Sequence, residues 1–154
     1  MKQIYLGIAT IAVFTFLLAV FVFGLTFYQD YSTRQYVNQY YDDLIKGNYD
    51  NAFEHLYPWS GNPDKPPWVS SRAAKGIFLK NVSSLGARGY RIVRVDDIVV
   101  MEKGSLLGAK VKLTVSLKGQ LKQVEENLAF YNAKIVVTDS QDPYAHYRDG
   151  KLAN

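Results

Sequence analysis

The chain has 154 residues, a net charge of +4 and no cysteine, which excludes disulfide cross-links, thiolate metal ligation and a lipid-modified cysteine anchor. So modest a positive charge does not imply a nucleic-acid partner, and none is expected. Twelve tyrosines, eight phenylalanines and two tryptophans supply enough apolar area to order one domain of about 125 residues behind the N-terminal segment.

Residues 1–3 carry the positive Lys2, and residues 4–28 contain no charged side chain. At ~1.5 Å rise per residue the apolar run reaches about 37 Å as a helix, enough to cross a hydrocarbon core of roughly 30 Å with some tilt. Helix is the conformation that satisfies every backbone polar group of such a stretch within lipid. Tyr5 at one end, with Tyr28 and Tyr31 at the other, suits the two interfaces. A cleaved signal peptide starts in the same way, but its apolar core is about 7–15 residues long and closes on small residues. This run continues well beyond that, with Val22-Phe23-Gly24 as its one weak cleavage candidate, and therefore reads as a signal-anchor. Lys2 and the amino terminus before the helix, and Asp30 after it, favour a cytoplasmic N-terminus and an extracytoplasmic domain in a single-pass protein of the cell membrane.

Beyond a linker at 29–32, Ser32 and Gln35 have the form of a capping box, which predicts a helix over 33–46 with the stripe Tyr36, Val37, Tyr40, Tyr41 and Leu44. Gly47 stops it, and Asn48 caps a shorter helix with the stripe Tyr49, Ala52, Phe53 and Leu56, ended by Pro58. Four of the five prolines fall within Pro58–Trp68, an ordered loop by composition. Ser70 or Ser71 then opens a third helix, with Ala74, Ile77, Phe78, Val82 and Leu85 along one side and Gly86 as terminator. From Tyr90 the period changes to alternation. Strands are expected over about 90–101, 109–117, from 120 with Val124, Leu128 and Phe130 inward, and over 134–139. The sum is an α+β domain over 33–154, three helices against a four-stranded antiparallel sheet.

The run Tyr40-Tyr41-Asp42-Asp43-Leu44-Ile45-Lys46-Gly47, followed by Asn48-Tyr49-Asp50-Asn51-Ala52-Phe53, resembles the opening of nuclear transport factor 2-like domains. It is most similar to the membrane-anchored bacterial ones that face the cell envelope, and in outline the resemblance covers nearly all of the chain after Tyr31. It implies a cone in which a bent antiparallel sheet wraps a long helix, often with a pocket at the open end. The matching residues are a packing signature and carry no chemistry, and a shared fold does not select a function.

For that pocket the expected lining is Tyr36, Tyr40, Phe53, His55 and Trp59. An enzyme here would need a carboxylate or histidine in apolar surroundings. His55, Asp42, Asp43 and Asp50 are nearest, but the aspartates lie off the apolar stripes or at a helix start, where charge suits the dipole, so no catalytic residue is assigned. Two histidines and no cysteine match no metal-ligand spacing, and neither metal nor cofactor is expected. Asn81-Val82-Ser83 forms a glycosylation sequon inside a predicted helix. Lys110, Lys112 and Lys118, with Arg91, Arg94 and Lys122 nearby, suggest a basic sheet face, which Glu125 and Glu126 dilute.

For a protein partner the better surfaces are Trp59 and Trp68 in the proline loop and the tail residues Tyr144, His146, Tyr147 and Arg148. The tryptophans could instead plug the open end of the cone. Within the anchor, Ala9, Ala12, Thr15 and Ala19 form a small-residue face suited to packing on other membrane helices. The sequence therefore favours a non-enzymatic accessory or assembly subunit that sits in the bilayer beside a larger membrane or envelope complex. The alternative is a membrane-tethered small-ligand binder, or an enzyme, that uses the cone pocket.

Overall fold

Between Leu25 and Lys46 the sequence has neither glycine nor proline, so nothing interrupts the helical hydrogen-bond ladder. In the computed structural model, helix α1 accordingly runs unbroken over Lys2–Lys46. This corrects the expected linker at 29–32 and the fresh helix start near Thr33. The Ser32 hydroxyl donates back to the Gln29 carbonyl at 3.0 Å, a bond made inside a continuing helix and not a cap. The structure describes residues 2–57, 70–103 and 106–148, with the backbone path alone at 2–13, 26, 102, 103, 106, 146 and 147. Two compact units are present, Met1–Thr33 and Arg34–Asn154.

In Met1–Thr33 the described apolar side chains all face outward, Phe14 at 68%, Phe23 at 77% and Phe27 at 75% exposure. A helix whose described apolar side chains are exposed all round suits lipid or another helix as its surroundings. Among the described residues, one helix, Phe14–Lys46, is long and apolar enough to cross a membrane.

In Arg34–Asn154, the α1 residues Val37, Tyr40, Tyr41 and Leu44 recur at i, i+3, i+4 and i+7 and are all buried. Gly47, at φ +77°, turns the chain out of α1 in a conformation that a side chain would strain. Its N–H donates to the Leu44 carbonyl at 3.3 Å, and that of Asn48 to Asp43 at 2.8 Å. Helix α2 follows at Tyr49–His55. Helix α3, Ser71–Ala87, starts where the Ser70 hydroxyl accepts from the Ala73 N–H, and it buries Ala74, Phe78, Val82 and Leu85. The Lys75 ammonium reaches Asp50 at 3.1 Å and Glu54 at 3.3 Å, joining α3 to α2 across their exposed side.

The strands are β1 Tyr90–Lys103, β2 Leu106–Leu117, β3 Gln120–Tyr131 and β4 Lys134–Ser140. They pair in chain order as one antiparallel meander. Register shifts at Ile92/Arg94, Val95/Asp97 and Asn127/Leu128 add local bend and twist to the sheet. On the inner face Ala109, Val111, Leu113 and Val115 of β2 meet the buried stripes of all three helices in one core. This is the α+β layout that the change of period announces. It has one addition, a four-residue helix α4 at Ala145–Arg148.

Candidate functional site

Strand β3 alternates around a charge. Val124, Glu126 and Leu128 are all buried, because residues two apart along a strand face the same side. Glu125 faces the other way, where Lys110 holds it at 2.7 Å and Lys112 at 3.8 Å. The lysine bonds pull the Glu125 carboxyl below its ordinary range. The basic face expected on β2 is therefore neutralised in part by its neighbour strand.

Glu126 enters the core fully buried, and an unpaired carboxylate could not stay ionised there. Its partners come from three other elements. Tyr41 on α1 donates to Oε2 at 2.7 Å, and Ser140 at the end of β4 donates to Oε1 at 3.3 Å. Arg148 on α4 donates from Nη2 to Oε1. The same Nη2 lies 3.8 Å from Asp142, to whose carboxylate Tyr90 at the start of β1 donates.

Local turn chemistry brings Arg148 inward. The Asp142 carboxylate accepts from the Tyr144 N–H at 3.0 Å, its own N–H donates to the Ser140 hydroxyl at 3.0 Å, and its carbonyl accepts from Ala145 at 3.1 Å. Such an aspartate-led turn reverses the chain after β4 and starts α4, which packs on α3 and β4. Arg148 ends 2% exposed, its guanidinium carbon 5.9 Å from the centre of the Tyr41 ring.

Titration follows from this packing. Burial, and then the Glu126 charge, push the Tyr41 hydroxyl well above its ordinary value. Burial likewise pushes Tyr90 far up, with Arg148 acting against it and Asp142 with it. At Arg148, burial opposes the charge, but Glu126 and the surrounding tyrosines outweigh it and hold the guanidinium protonated.

Among the described residues, Arg148 Nε and Nη1 have no hydrogen-bond partner. Arg148 also stands in the wall of a cavity of about 230 Å³ between the end of α1 (Leu44, Ile45), α3 (Val82, Leu85) and the start of β1 (Arg91, Ile92).

The residues expected at the cone pocket divide. Tyr40 and Phe53 are buried core residues, and they fill the interior they were expected to line. Tyr36 and His55 are partly buried, with ring centres 4.8 Å apart. Asp43 approaches His55 Nε2 at 3.6 Å, which makes a local pair between α1 and α2. Trp59 and Trp68 lie outside the described residues, as do the side chains of Ala9, Ala12, His146 and Tyr147. Thr15 and Ala19 lie on α1 and are exposed. Tyr144 is partly buried beside Tyr90, ring centres 5.3 Å apart. Arg148, expected on a partner surface, is corrected to the interior, because Glu126 and Asp142 offer it the charge that the surface would not. Among the described residues no group of three or more metal-ligating side chains occurs.

Compared with known protein families and with curated proteins, the chain matches none.

Proposed function

We propose that this chain is a non-enzymatic accessory or assembly subunit, anchored by one spanning helix, whose domain stands outside the cytoplasm and contacts a larger membrane or envelope complex. The supporting observation is the state of the interior. Tyr40 and Phe53 fill the core, and both inward carboxylates are engaged by Arg148 and the tyrosines. A general base needs a free carboxylate in contact with substrate, and Glu126 and Asp142 are instead engaged by side chains of the fold. Confinement to the membrane raises effective concentration, so a weak domain contact suffices for assembly. The resemblance to membrane-anchored bacterial nuclear transport factor 2-like domains fits such a role, and Lys2 ahead of the apolar run supports the orientation.

The test is gentle detergent extraction of the tagged full chain followed by identification of what co-purifies. A defined set of membrane proteins, lost when the anchor is replaced by an unrelated spanning helix or when the domain surface is altered, is the expected result. Recovery of a lone, monodisperse chain would sink the proposal. Reporter fusions at Asn154 that are active only outside the cytoplasm check the orientation separately.

A further inference from the structure

In the middle of the sheet the exposed cations are offset, Lys110 and Lys112 by Glu125 and Arg94 by Asp96. At the β2–β3 hairpin they are not. Arg88 and Arg91 flank the turn from α3 into β1, Lys118 lies in the hairpin turn and Lys122 near the start of β3, and all four are exposed. Among the described residues the remaining salt bridges lie elsewhere, at Lys46, His55, Lys75 and Arg148. The Lys118 N–H donates to the Gly89 carbonyl at 2.9 Å, which ties the hairpin tip to the α3–β1 turn and gathers the charges at one end of the domain. Lys122 pairs with Val115 and so faces the inner side of the sheet. There it lines a hollow of about 180 Å³ with Tyr90, Leu117, Val124, Pro143 and Tyr144. Gln120 and Pro143, which also line it, are exposed, so the hollow opens to solvent. Asp142 is the one carboxylate in its wall, and it is buried and engaged by Tyr90, the Tyr144 N–H and Arg148.

We propose that this end of the domain is the docking surface for an acidic polypeptide segment of a partner protein, which seats one apolar side chain in the hollow and sets its carboxylates on Arg88, Lys118 and Lys122. Charge complementarity selects the partner's sign and speeds encounter. The apolar anchor in a partly closed hollow supplies the contact that excludes water. The concavity favours a polypeptide over a lipid surface, because insertion into a bilayer takes a projecting apolar face, whereas here the apolar element is recessed and receives a group. At about 180 Å³ the hollow falls well below the range for drug-sized ligands and suits a single side chain. Arg91, on the opposite face of β1, adds to the field without lining the hollow. The proposal rests on the assembly role above and deepens it, since it names the surface that makes the contact.

The experiment uses ¹⁵N-labelled full chain in phosphatidylcholine bicelles, with the backbone amides of Lys118 to Lys122 as readout. It titrates the peptide acetyl-Glu-Asp-Leu-Glu-Asp-amide, the same peptide with serine for leucine, and its Gln-Asn-Leu-Gln-Asn counterpart, each to about 5 mM. The acidic leucine peptide is expected to shift the amides saturably and to bind ~tenfold more weakly when salt is raised from about 50 to about 300 mM. The serine peptide should lose about tenfold in affinity, and the uncharged one at least as much. Lys118→Glu with Lys122→Glu, and separately Gln120→Trp at the hollow, should keep the thermal midpoint and lose binding. Arg72→Glu with Lys134→Glu, equal in net charge but away from the hairpin, should bind like the unaltered chain. Equal affinity for the leucine and serine peptides, binding retained in either hairpin variant, equal loss in the charge control, no shift at all, or larger shifts from bicelles with about a quarter phosphatidylglycerol would each overturn the proposal. Because the titration needs no partner, its failure leaves the assembly role standing, whereas a full chain that extracts alone is the failure of that role.

Discussion

Tyr41 and Glu126 lie 85 positions apart in the chain, yet the tyrosine hydroxyl donates to the carboxylate at 2.7 Å with both side chains wholly buried. The bond ties α1 to β3 through the core, and Arg148 closes it from the opposite side with its guanidinium over the Tyr41 ring. A polar cluster in this position fixes which helix face meets which strand, since any other register would bury a charge without its partner.

Removing one member should therefore cost far more than removing the pair. Glu126→Ala is expected to destabilise the domain by ~3–5 kcal/mol by stranding the Arg148 charge, whereas Glu126→Leu combined with Arg148→Met should recover most of the loss. Against a typical stability of about 5–15 kcal/mol, the single variant stands close to unfolding. Urea titration followed by intrinsic fluorescence measures both. Equal destabilisation of the single and double variants would show that packing, and not charge pairing, dominates.

The α+β layout was legible because hydrophobic period is a local property: Val37, Tyr40, Tyr41 and Leu44 announce a helix and Ala109, Val111 and Leu113 a strand without reference to anything distant. Glu126 carried a readable signal too, since the alternation that turns Val124 and Leu128 inward turns Glu126 with them. Taking it together with Glu125 as surface charge hid that. Arg148 had no comparable local signal. Its burial depends on a turn led by Asp142, a helix of one turn, and a carboxylate 22 positions earlier, and no periodicity reports such a coincidence. The unbroken α1 went unread because Ser32 and Gln35 imitate a helix start while the absence of glycine and proline lets the helix continue.

Alkaline pH should weaken the domain through its buried tyrosines. Tyr41 and Tyr90 both have folded values raised above the ordinary 10.0, chiefly by burial. Their contribution is fully present below the unfolded value and is lost as pH rises toward the folded one, because only the unfolded chain releases those protons. From about pH 10 upward, stability should fall by up to ~1.4 kcal/mol per pH unit for each such tyrosine. Tyr90→Phe, although less stable at pH 7 for want of a donor to Asp142, should show a shallower alkaline slope. Denaturation midpoints from pH 8 to 11.5 decide this, and an unchanged slope in the variant would count against the assignment.

Gly108 sits on β2 opposite Ala129, and a Cβ added there would lie 2.7 Å from the Leu128 carbonyl oxygen. Backbone cannot give way as a flexible side chain can. Gly108→Ala should destabilise by about 1–3 kcal/mol and raise hydrogen exchange at the β2–β3 pairing. Gly76→Ala supplies the control. Nothing lies within 4 Å of its added Cβ, and a helix interior favours alanine by about 0.5–1 kcal/mol. If both variants move stability in the same direction, the close approach at Gly108 is not the cause.

The β2–β3 and β3–β4 hairpins solve the same turn differently. Lys118 and Gly119 connect β2 to β3 at φ +51° and +85°, whereas Asn132 and Ala133 connect β3 to β4 at +48° and +58°. Right-handed strand twist selects turns with two positive φ values, and asparagine tolerates the first position well. Alanine at the second does not, since its Cβ crowds the backbone by ~1–2 kcal/mol in the left-handed region. Ala133 is exposed and loses little packing on replacement. Ala133→Gly should thus stabilise the domain by about 0.5–1 kcal/mol, the strain relieved being partly offset by the greater freedom of glycine in the unfolded chain. Lys118→Gly, at φ +51° in the other turn and likewise exposed, should gain a similar amount, because its own Cβ carries the same strain. A thermal or urea midpoint lowered by Ala133→Gly would mean that the β3–β4 turn holds alanine without strain.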